Sequence, residues 1–499
     1  MFYDIGSILT RSVDKFGSRP MLSWHGRTMT YNEVYEQATR FGSGLLARGL
    51  APGSRLMLSM RNSPEYVIAI FGASLVDITP VPVNRRYALR DIRHIVNDTA
   101  APAALIDVDG PFADLVDDEA LNVDWIMAGE RGSNKSTFED VLRAGASTQL
   151  PQLFLPDEAE SAIHFTSGTT SLPKGVIRSH VSNASMALGC NEANRVDGDT
   201  TWLVALPMHS SGVHGFILGA LMVGGRFVLC DYDESTLGQV IDEYQITHAA
   251  MGPTMYRAAA TSLRKANLST LRRALSGGMT NSEATLRYME DVLPVPVLGS
   301  FGMTEATMVT FSTDEVYASG RVGSSGYPTS MMQVRVVDPS GNDRPPGEFG
   351  QLLLRGATCF TEYLNLPGRT AETLIDGWLH TGDRAYLDVD GAVTVSGRLG
   401  EMIVSGNENI SPAEVEETIA RLVGVQDVAV VGVPSEKWGR EVRAFVVAED
   451  AGVTEAAVQE FCRQHIARYK VPKRVVFIDE LPKDNLGKVQ RRKLTEIDA

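Results

Sequence analysis

The stretch LRRALSGGMTNSEATLRYMEDVLPVPVLGSFGMTE, Leu271–Glu305, decides the fold. Leu271–Ser276 reads as a short apolar strand, Ser282–Val292 has the apolar spacing of a helix, and Val295–Ser300 is a second strand. A strand, a crossover helix and another strand form a βαβ unit, which belongs in a parallel sheet covered by helices. A glycine-bearing loop follows each strand: Ser276-Gly-Gly-Met279 and Phe301-Gly-Met-Thr-Glu305. Ligands of open parallel sheets collect at the carboxyl ends of strands. Both loops are therefore placed to line a site.

Working outward, the alternation continues upstream. Strands are predicted at Trp202–Leu206, Phe227–Cys230 and His248–Met251, with helices at Phe216–Val223, Leu237–Tyr244 and Met255–Ala266. Nearer the N-terminus, Thr30 is a plausible cap for a helix over Tyr31–Arg48. Strand Arg55–Met60, helix Pro64–Ser74 and strand Ile78–Val83 follow. Downstream of Gln333 the pattern changes to short strands and turns (Gln333–Val337, Gly350–Arg355, Ala392–Ser396), which predicts a β subdomain over about 330–398. A smaller α+β unit begins after Gly397-Arg-Leu-Gly400. It carries strand Glu401–Val404, helix Pro412–Leu422, strands Val428–Val431 and Val442–Val447, helix Glu455–Ala467 and strand Val475–Ile478. The fold class expected is α/β. A large N-terminal domain of parallel βα sheets plus the β subdomain (1–398) is joined at 399–400 to a small α+β C-terminal domain (401–499).

Composition agrees. A chain of 499 residues exceeds the ~250–300 residues that one core usually carries. With 43% hydrophobic and 21% charged residues it has the balance of a soluble globular protein. A net charge of −15 opposes a nucleic-acid partner, which would favour a basic surface. The four cysteines (Cys190, Cys230, Cys359, Cys462) form no CxxC pair, so reduced thiols are expected rather than disulfides or a zinc site. The N-terminal residues lack the apolar core of a secretory signal. The longest apolar runs are broken by Asp77 and Arg226, so no transmembrane segment is expected. The expected location is cytoplasmic.

Chemistry is concentrated in Ile163-His-Phe-Thr-Ser-Gly-Thr-Thr-Ser-Leu-Pro-Lys-Gly175. The hydroxyls of Thr166, Ser167, Thr169 and Thr170, the backbone freedom of Gly168 and Gly175, and the cation Lys174 make a donor-rich loop suited to a polyphosphate. It is not the GxxxxGK[ST] loop, because Gly175 follows Lys174 and the first glycine is missing. Four more segments follow in order: Ser300-Phe-Gly-Met-Thr-Glu305, Gly377-Trp-Leu-His-Thr-Gly-Asp383, Gly397-Arg398 with Ser405-Gly-Asn-Glu-Asn-Ile-Ser-Pro412, and Pro482-Lys-Asp-Asn-Leu-Gly-Lys488. Taken singly each has a plain reading: an aspartate in a turn caps it, a glycine pair makes a tight turn, and a lysine near a C-terminus is solvated. The ordered set of five carries far more information.

With these motifs, over about Tyr31–Leu494, the chain resembles the adenylate-forming superfamily of acyl-CoA synthetases, firefly luciferases and peptide-synthetase adenylation domains. It is most similar to bacterial acyl- and aryl-CoA ligases, including the 4-chlorobenzoate and carnitine-type ligases. The resemblance implies a reaction in two halves. A carboxylate attacks the α-phosphate of Mg-ATP to give an acyl-adenylate and pyrophosphate, and a thiol, typically coenzyme A, then displaces AMP. It also implies roles for particular residues. Lys488 bridges the incoming carboxylate and the α-phosphate, Thr304 donates to that phosphate, and Glu305 associates with Mg²⁺. Thr166, Ser167, Gly168, Thr169, Thr170 and Lys174 hold the β- and γ-phosphates. Asp383 takes the ribose hydroxyls, Arg398 makes a second ribose or phosphate contact, Phe301 stacks on adenine, and Gly277 and Gly278 lie against adenine and the acyl pocket. The C-terminal domain is implied to be mobile, swinging about Leu399–Gly400 so that Ser405, Gly406, Asn407, Trp438 and Lys473 meet coenzyme A.

Several positions depart from the family pattern. Ser171 replaces a loop glycine, and Gly400 stands where the hinge residue is usually Asp or Lys. Val471 replaces a basic residue, and Asn407 replaces a tunnel glycine. The last three bear on the thioester half. The acyl pocket is expected around Leu206-Pro-Met-His-Ser-Ser-Gly212, with Met186, His209, Met251, Gly277, Ser300, Met303 and Met308 as liners. For Met186 and Met251 a plain core role is an equal alternative. An apolar, methionine-rich, uncharged set fits a hydrophobic monocarboxylic acid. No aspartate is present in the loop to hold an amino group, and no pocket arginine is evident for a dicarboxylate. Two other readings accompany this one. One is an adenylation-only enzyme that hands its acyl group to a carrier protein or partner ligase. The other is a silent nucleotide or acyl-AMP binder, which retention of Lys488 and Glu305 disfavours.

Overall fold

The computed structural model describes residues 4–497 apart from 113–114, 119–120, 130–135, 146–149, 151–152, 154, 167–171, 279–282, 406–407, 436–438, 450–451 and 484–487. Its centre is a nine-stranded sheet. Six strands run parallel in the spatial order Val297–Met303, Arg273–Ser276, His248–Met251, Thr201–Val204, Arg226–Leu229 and Pro20–Trp24. Antiparallel strands close both edges: Arg27–Thr30 on one, Ala306–Phe311 and Tyr327–Pro328 on the other. A second sheet of five parallel strands is built from Thr79–Pro82, Arg55–Ser59, Ala103–Asp107, Asp124–Ala128 and Ser136–Thr137.

Helices Tyr31–Ala47, Pro64–Ser74, His180–Asn194 and Ser211–Val223 fill the space between these sheets. Their apolar faces share one core with Leu56, Leu58 and Leu105 of the smaller sheet and Trp202, Phe227 and Leu298 of the larger. The first of these helices starts where its sequence dictates. The Thr30 hydroxyl accepts from the Glu33 amide at 3.2 Å, and the Glu33 carboxylate takes the Thr30 amide at 2.7 Å. This reciprocal capping box satisfies two donors that the helix leaves open. The opposite face of the large sheet is covered by Leu237–Glu243, Pro253–Ala258 and Glu283–Tyr288.

Most of the expected elements are present, with instructive differences. The helix expected over Met255–Ala266 is two short ones, Pro253–Ala258 and Ala260–Leu263. Phe301-Gly-Met303, expected as loop, continues the strand Val297–Met303 and turns into Ala306–Phe311 as a hairpin. Gly302 makes this possible, because a Cβ there would meet the Met308 amide nitrogen at 2.7 Å. Asp383 caps no turn; it lies within the ten-residue strand Trp378–Leu387.

The β subdomain pairs Met332–Val337, Gly350–Gly356, Trp378–Leu387, Leu374–Ile375 and Val393–Arg398. The expected hinge falls in a 3₁₀ turn, Leu399–Glu401. A Cβ on Gly400 would meet nothing within 4 Å, so this orientation does not need glycine there. Beyond it, Val425–Ser435, Gly439–Ala448 and Arg474–Phe477 form a three-stranded sheet with its own cores, which contain only residues from Ile403 onward. Val471 is one of them, buried at 5% exposure. Its replacement of a basic residue is therefore a packing choice within this unit. All four cysteines are free. Among the described residues no helix is long and apolar enough to cross a membrane.

Candidate active site

Strands Glu160–Thr166 and Lys174–Ser179 form an antiparallel hairpin in which Thr166 faces Lys174. Ser167, Gly168, Thr169, Thr170 and Ser171, at its turn, lie outside the described residues. The ends of the loop are held firmly. His94 Nε2 is 3.0 Å from the Pro173 carbonyl, and the Tyr87 hydroxyl donates to the Phe165 carbonyl at 3.3 Å. Strand alternation puts Lys174, Val176 and Arg178 on one face. The ammonium of Lys174 sits 4.4 Å from the ring centroid of Tyr363. The Tyr363 hydroxyl donates to Glu305 Oε1 at 2.7 Å. Burial lowers the Lys174 pKa, the nearby Glu305 carboxylate opposes this, and Arg369 and Arg398 add to the lowering.

Glu305 is buried, and Thr304 is half-buried beside it in the same tight turn. A single buried carboxylate such as that of Glu305 is the kind of donor magnesium uses, since it binds through one or two carboxylates and completes its shell with phosphate and water.

Asp383 and Arg398 face each other across an antiparallel pair. Arg398 Nε lies 2.9 Å from Asp383 Oδ1, and Arg398 also donates to the Thr381 carbonyl at 2.8 Å. Burial raises the Asp383 pKa to about 6, against the lowering influence of Arg398, Thr381 and Lys488. Its other oxygen, Oδ2, is buried with no hydrogen-bond donor. An orphaned buried acceptor is costly, and a pair of ribose hydroxyls would satisfy it. Lys488 is exposed on the C-terminal unit, and its charge reaches Asp383. Phe301 is half-buried, packing with Met303 against the core of the β subdomain. Gly277 needs its missing side chain, since a Cβ would meet Ser300 Oγ at 2.5 Å; that hydroxyl donates to the Ser276 carbonyl at 3.1 Å. Gly278 is in the left-handed region at φ +82°.

The third strand-end loop, 205–210, is the one expected on the acyl side. Met308 (φ 55°) and Met186 meet beside Gly215, where a Cβ would lie 2.6 Å from Met308 Sδ and 3.1 Å from Met186 Cγ. His209, from the same loop, belongs to a set of three histidines. Its carbonyl is 3.3 Å from His164 Nδ1, and the His164 and His214 rings meet edge to face at 4.9 Å. Burial pushes His209 and His214 down to about 4, so both are neutral at ordinary pH. The structure thus brings Met186 and Met308 together, and His209 to His164. It does not bring Met251 to them: Met251 faces the opposite side of the large sheet, among Leu203, Ala249 and Tyr256. Met303 lies with Phe301 on the subdomain side.

An N-terminal family model, AMP-binding enzyme, matches residues 9–364, and a second, AMP-binding enzyme C-terminal domain, matches 414–488. The chain is an AMP-binding enzyme. This AMP-binding enzyme is an AMP-forming acid–thiol ligase of the adenylate-forming superfamily. It is 32% identical over 472 residues to a feruloyl-CoA synthase of an Amycolatopsis species, covering 93% of each chain. It is also 32% identical over 496 residues to the fatty acid–[acyl-carrier-protein] ligase ScoC of Streptomyces coeruleorubidus, covering 96% of this chain and 93% of that one. Its fold superimposes with a TM-score of 0.89 on ATP-bound MatB from Rhodopseudomonas palustris, at 26% identity and 99% coverage of both chains.

Sequence reading missed several residues of this AMP-binding enzyme's site. Tyr363 and Arg178 have no motif of their own. Arg178 is fully buried, and it is a charged residue on the inward face of an apolar strand, which is the signal that was available. Asn62 is also buried. Its amide donates to the Leu206 carbonyl at 3.0 Å and accepts from the Met208 amide at 2.9 Å, which fixes the acyl loop. Of the residues expected at the thiol end, Gly406, Asn407 and Trp438 lie outside the described residues. Lys473 is exposed, and its amide donates to the Val442 carbonyl at 2.8 Å.

Proposed function

We propose that this ligase activates a hydrophobic monocarboxylic acid with ATP, releasing pyrophosphate, and then transfers the acyl group to coenzyme A with release of AMP. One observation carries the reading: Tyr363 joins Lys174 to Glu305, and the charges of Glu305, Arg398 and Lys488 all act at Asp383, while the 205–210 loop carries a neutral histidine. The first half-reaction drives a carboxylate onto a polyphosphate, so its barrier is largely electrostatic. Lys488 neutralises the meeting of carboxylate oxygen and α-phosphorus. Thr304 donates to the α-phosphate, and Lys174 takes charge on the departing pyrophosphate together with the loop 166–170. Asp383 accepts from the ribose hydroxyls while Arg398 keeps it oriented, Phe301 stacks on the base, and Gly277 and Gly278 let the backbone approach it. A magnesium ion held by Glu305 and the phosphates would supply further charge neutralisation.

Met186, Met308 and His209, with Ser300 at the mouth, set the acyl class. The domains proposed are 1–398 and 401–499, turning about 399–400 so that Lys488 leaves and Gly406, Trp438 and Lys473 reach the thiol. With four reduced thiols and a demand for ATP, we assign the enzyme to the cytoplasm. The test is acid-dependent ATP–pyrophosphate exchange across aryl, fatty and polycyclic acids, with thioester forming only on addition of coenzyme A. A second reading, transfer to a carrier protein, is favoured by the likeness to the carrier-protein ligase. Exchange without productive use of coenzyme A, and acylation of a phosphopantetheinyl carrier, would select it.

A further inference from the structure

We propose that Tyr363 is a positioning residue for adenylation, one side chain that fixes Glu305 and Lys174 relative to each other. The inference rests on the roles given above to those two residues. Tyr363 ends the two-residue strand Glu362–Tyr363 and pairs with Val176, which makes it part of the third strand of the phosphate hairpin. Paired residues share a face, so Tyr363 lies on the side that carries Lys174 and Arg178. Its hydroxyl donates to Glu305 Oε1 at 2.7 Å, and its ring lies under the Lys174 ammonium at 4.4 Å.

The segment around Tyr363 grips Glu305 at both ends. The Phe360 amide donates to the Glu305 carbonyl at 2.7 Å, while Tyr363 holds the carboxylate. The segment is itself pinned. Arg178 donates to the Thr358 carbonyl at 2.6 Å, and the Tyr363 amide donates to Thr370 Oγ1 at 3.0 Å. With Oε1 engaged by the phenol, the second carboxylate oxygen is the one a cation can take without competing. A ring contact fixes a lysine through its quadrupole without neutralising it. Lys174 is therefore held in place with its charge intact for the phosphates.

The test uses the full chain and binding of α,β-methylene-ATP, measured calorimetrically with Mg²⁺ and again with EDTA. Tyr363→Phe keeps the ring and removes only the hydrogen bond. It should weaken the Mg²⁺-dependent binding about tenfold, as loss of a partner behind a metal ligand does. Binding in EDTA and the KM for the acid should not move. Tyr363→Leu should in addition weaken binding in EDTA, because Lys174 loses its support. Unchanged Mg²⁺-dependent binding in Tyr363→Phe overturns the proposal. A double-mutant cycle gives an independent check: Tyr363→Phe should cost nothing further in a Glu305→Gln background, and additive losses overturn it. If Glu305→Gln binds the Mg²⁺ nucleotide as tightly as the parent, the metal role of Glu305 fails, and the inference falls with it.

Discussion

The two ends of the cleft are built on opposite electrostatic plans. At the proposed nucleotide end Lys174, Arg398 and Lys488 set three cations among the acids Glu305 and Asp383, and Asp383 is raised to about 6. At the proposed acyl end lie Met186 and Met308, and the histidines His209 and His214 are pushed down to about 4 by burial. The first end must gather a polyanion whose structure does not vary. The second must accept a particular acid, and shape rather than charge does the selecting there. Changes at the nucleotide end should therefore alter catalysis for every acid alike, and changes at the acyl end should alter the choice among acids.

The strongest challenge to that contrast is Lys488→Ala. It should lower pyrophosphate exchange about 10²–10³-fold with any acid, the scale seen when a donor to developing charge is removed. ATP binding should remain measurable. Near-normal exchange would show that charge delivered by the C-terminal unit is not needed.

Next in size is Asp383→Asn, which keeps the shape and removes the charge facing the ribose. Charge-assisted hydrogen bonds of ~1.5–3 kcal/mol make the expected loss of AMP affinity about tenfold to a hundredfold. The parent should also show a pH signature. Its folded-state pKa is raised from 3.8 to about 6, so between these values the free enzyme holds a proton that the unfolded chain has released. Stability conferred by this group is therefore highest at low pH and falls as pH rises through the window. Nucleotide affinity runs the other way, because the ionised carboxylate is the better acceptor for ribose hydroxyls, and it should weaken below about pH 6. Equilibrium binding and thermal unfolding across that range should show both slopes in the parent and neither in Asp383→Asn.

The same division governs what could be read from the sequence. The nucleotide end was legible because its residues are carried by short motifs: Lys174 after the hydroxyl loop, Glu305 after Phe301, Asp383 after Thr381-Gly382, and Arg398 after Gly397. Local motifs survive small errors in element boundaries, as when Phe301–Met303 proved to be strand rather than loop. The acyl end was less legible because it is set by which side of a sheet a residue faces. Met251 and Ala250 are adjacent, yet they face different cores, and only the strand register separates them. Tyr363 and Arg178 escaped for a related reason. Their partners are distant in sequence, so no spacing rule links them to Glu305.

Filling the acyl end tests its dependence on shape. Gly215→Val would push Met308, whose sulfur lies 2.6 Å from the site of the new Cβ. Methionine can yield, so the pocket should shrink without unfolding. One methylene more or less in an apolar pocket is worth about 10–200-fold. The KM for the preferred acid should rise on that scale and that of a smaller acid much less, while the KM for ATP stays put. An equal rise for ATP would mean that the two ends are not separable.

The smallest effect expected is a flat response. With His209 and His214 lowered to about 4 from 6.5, the unfolded chain binds more protons than the folded one between those values, so their contribution to stability grows as pH rises through that window. Above about pH 5 both are neutral and nothing at the acyl end is left to titrate. The KM for an acid whose own carboxyl is fully ionised should then be constant from about pH 5.5 to 8, over a range in which nucleotide affinity bends near 6. His209→Gln, which keeps a polar uncharged side chain, should leave that profile level. An inflection between pH 6 and 7 that vanishes in His209→Gln would mean that a histidine charge takes part in acid binding, and the contrast between a charged end and a neutral end would not hold.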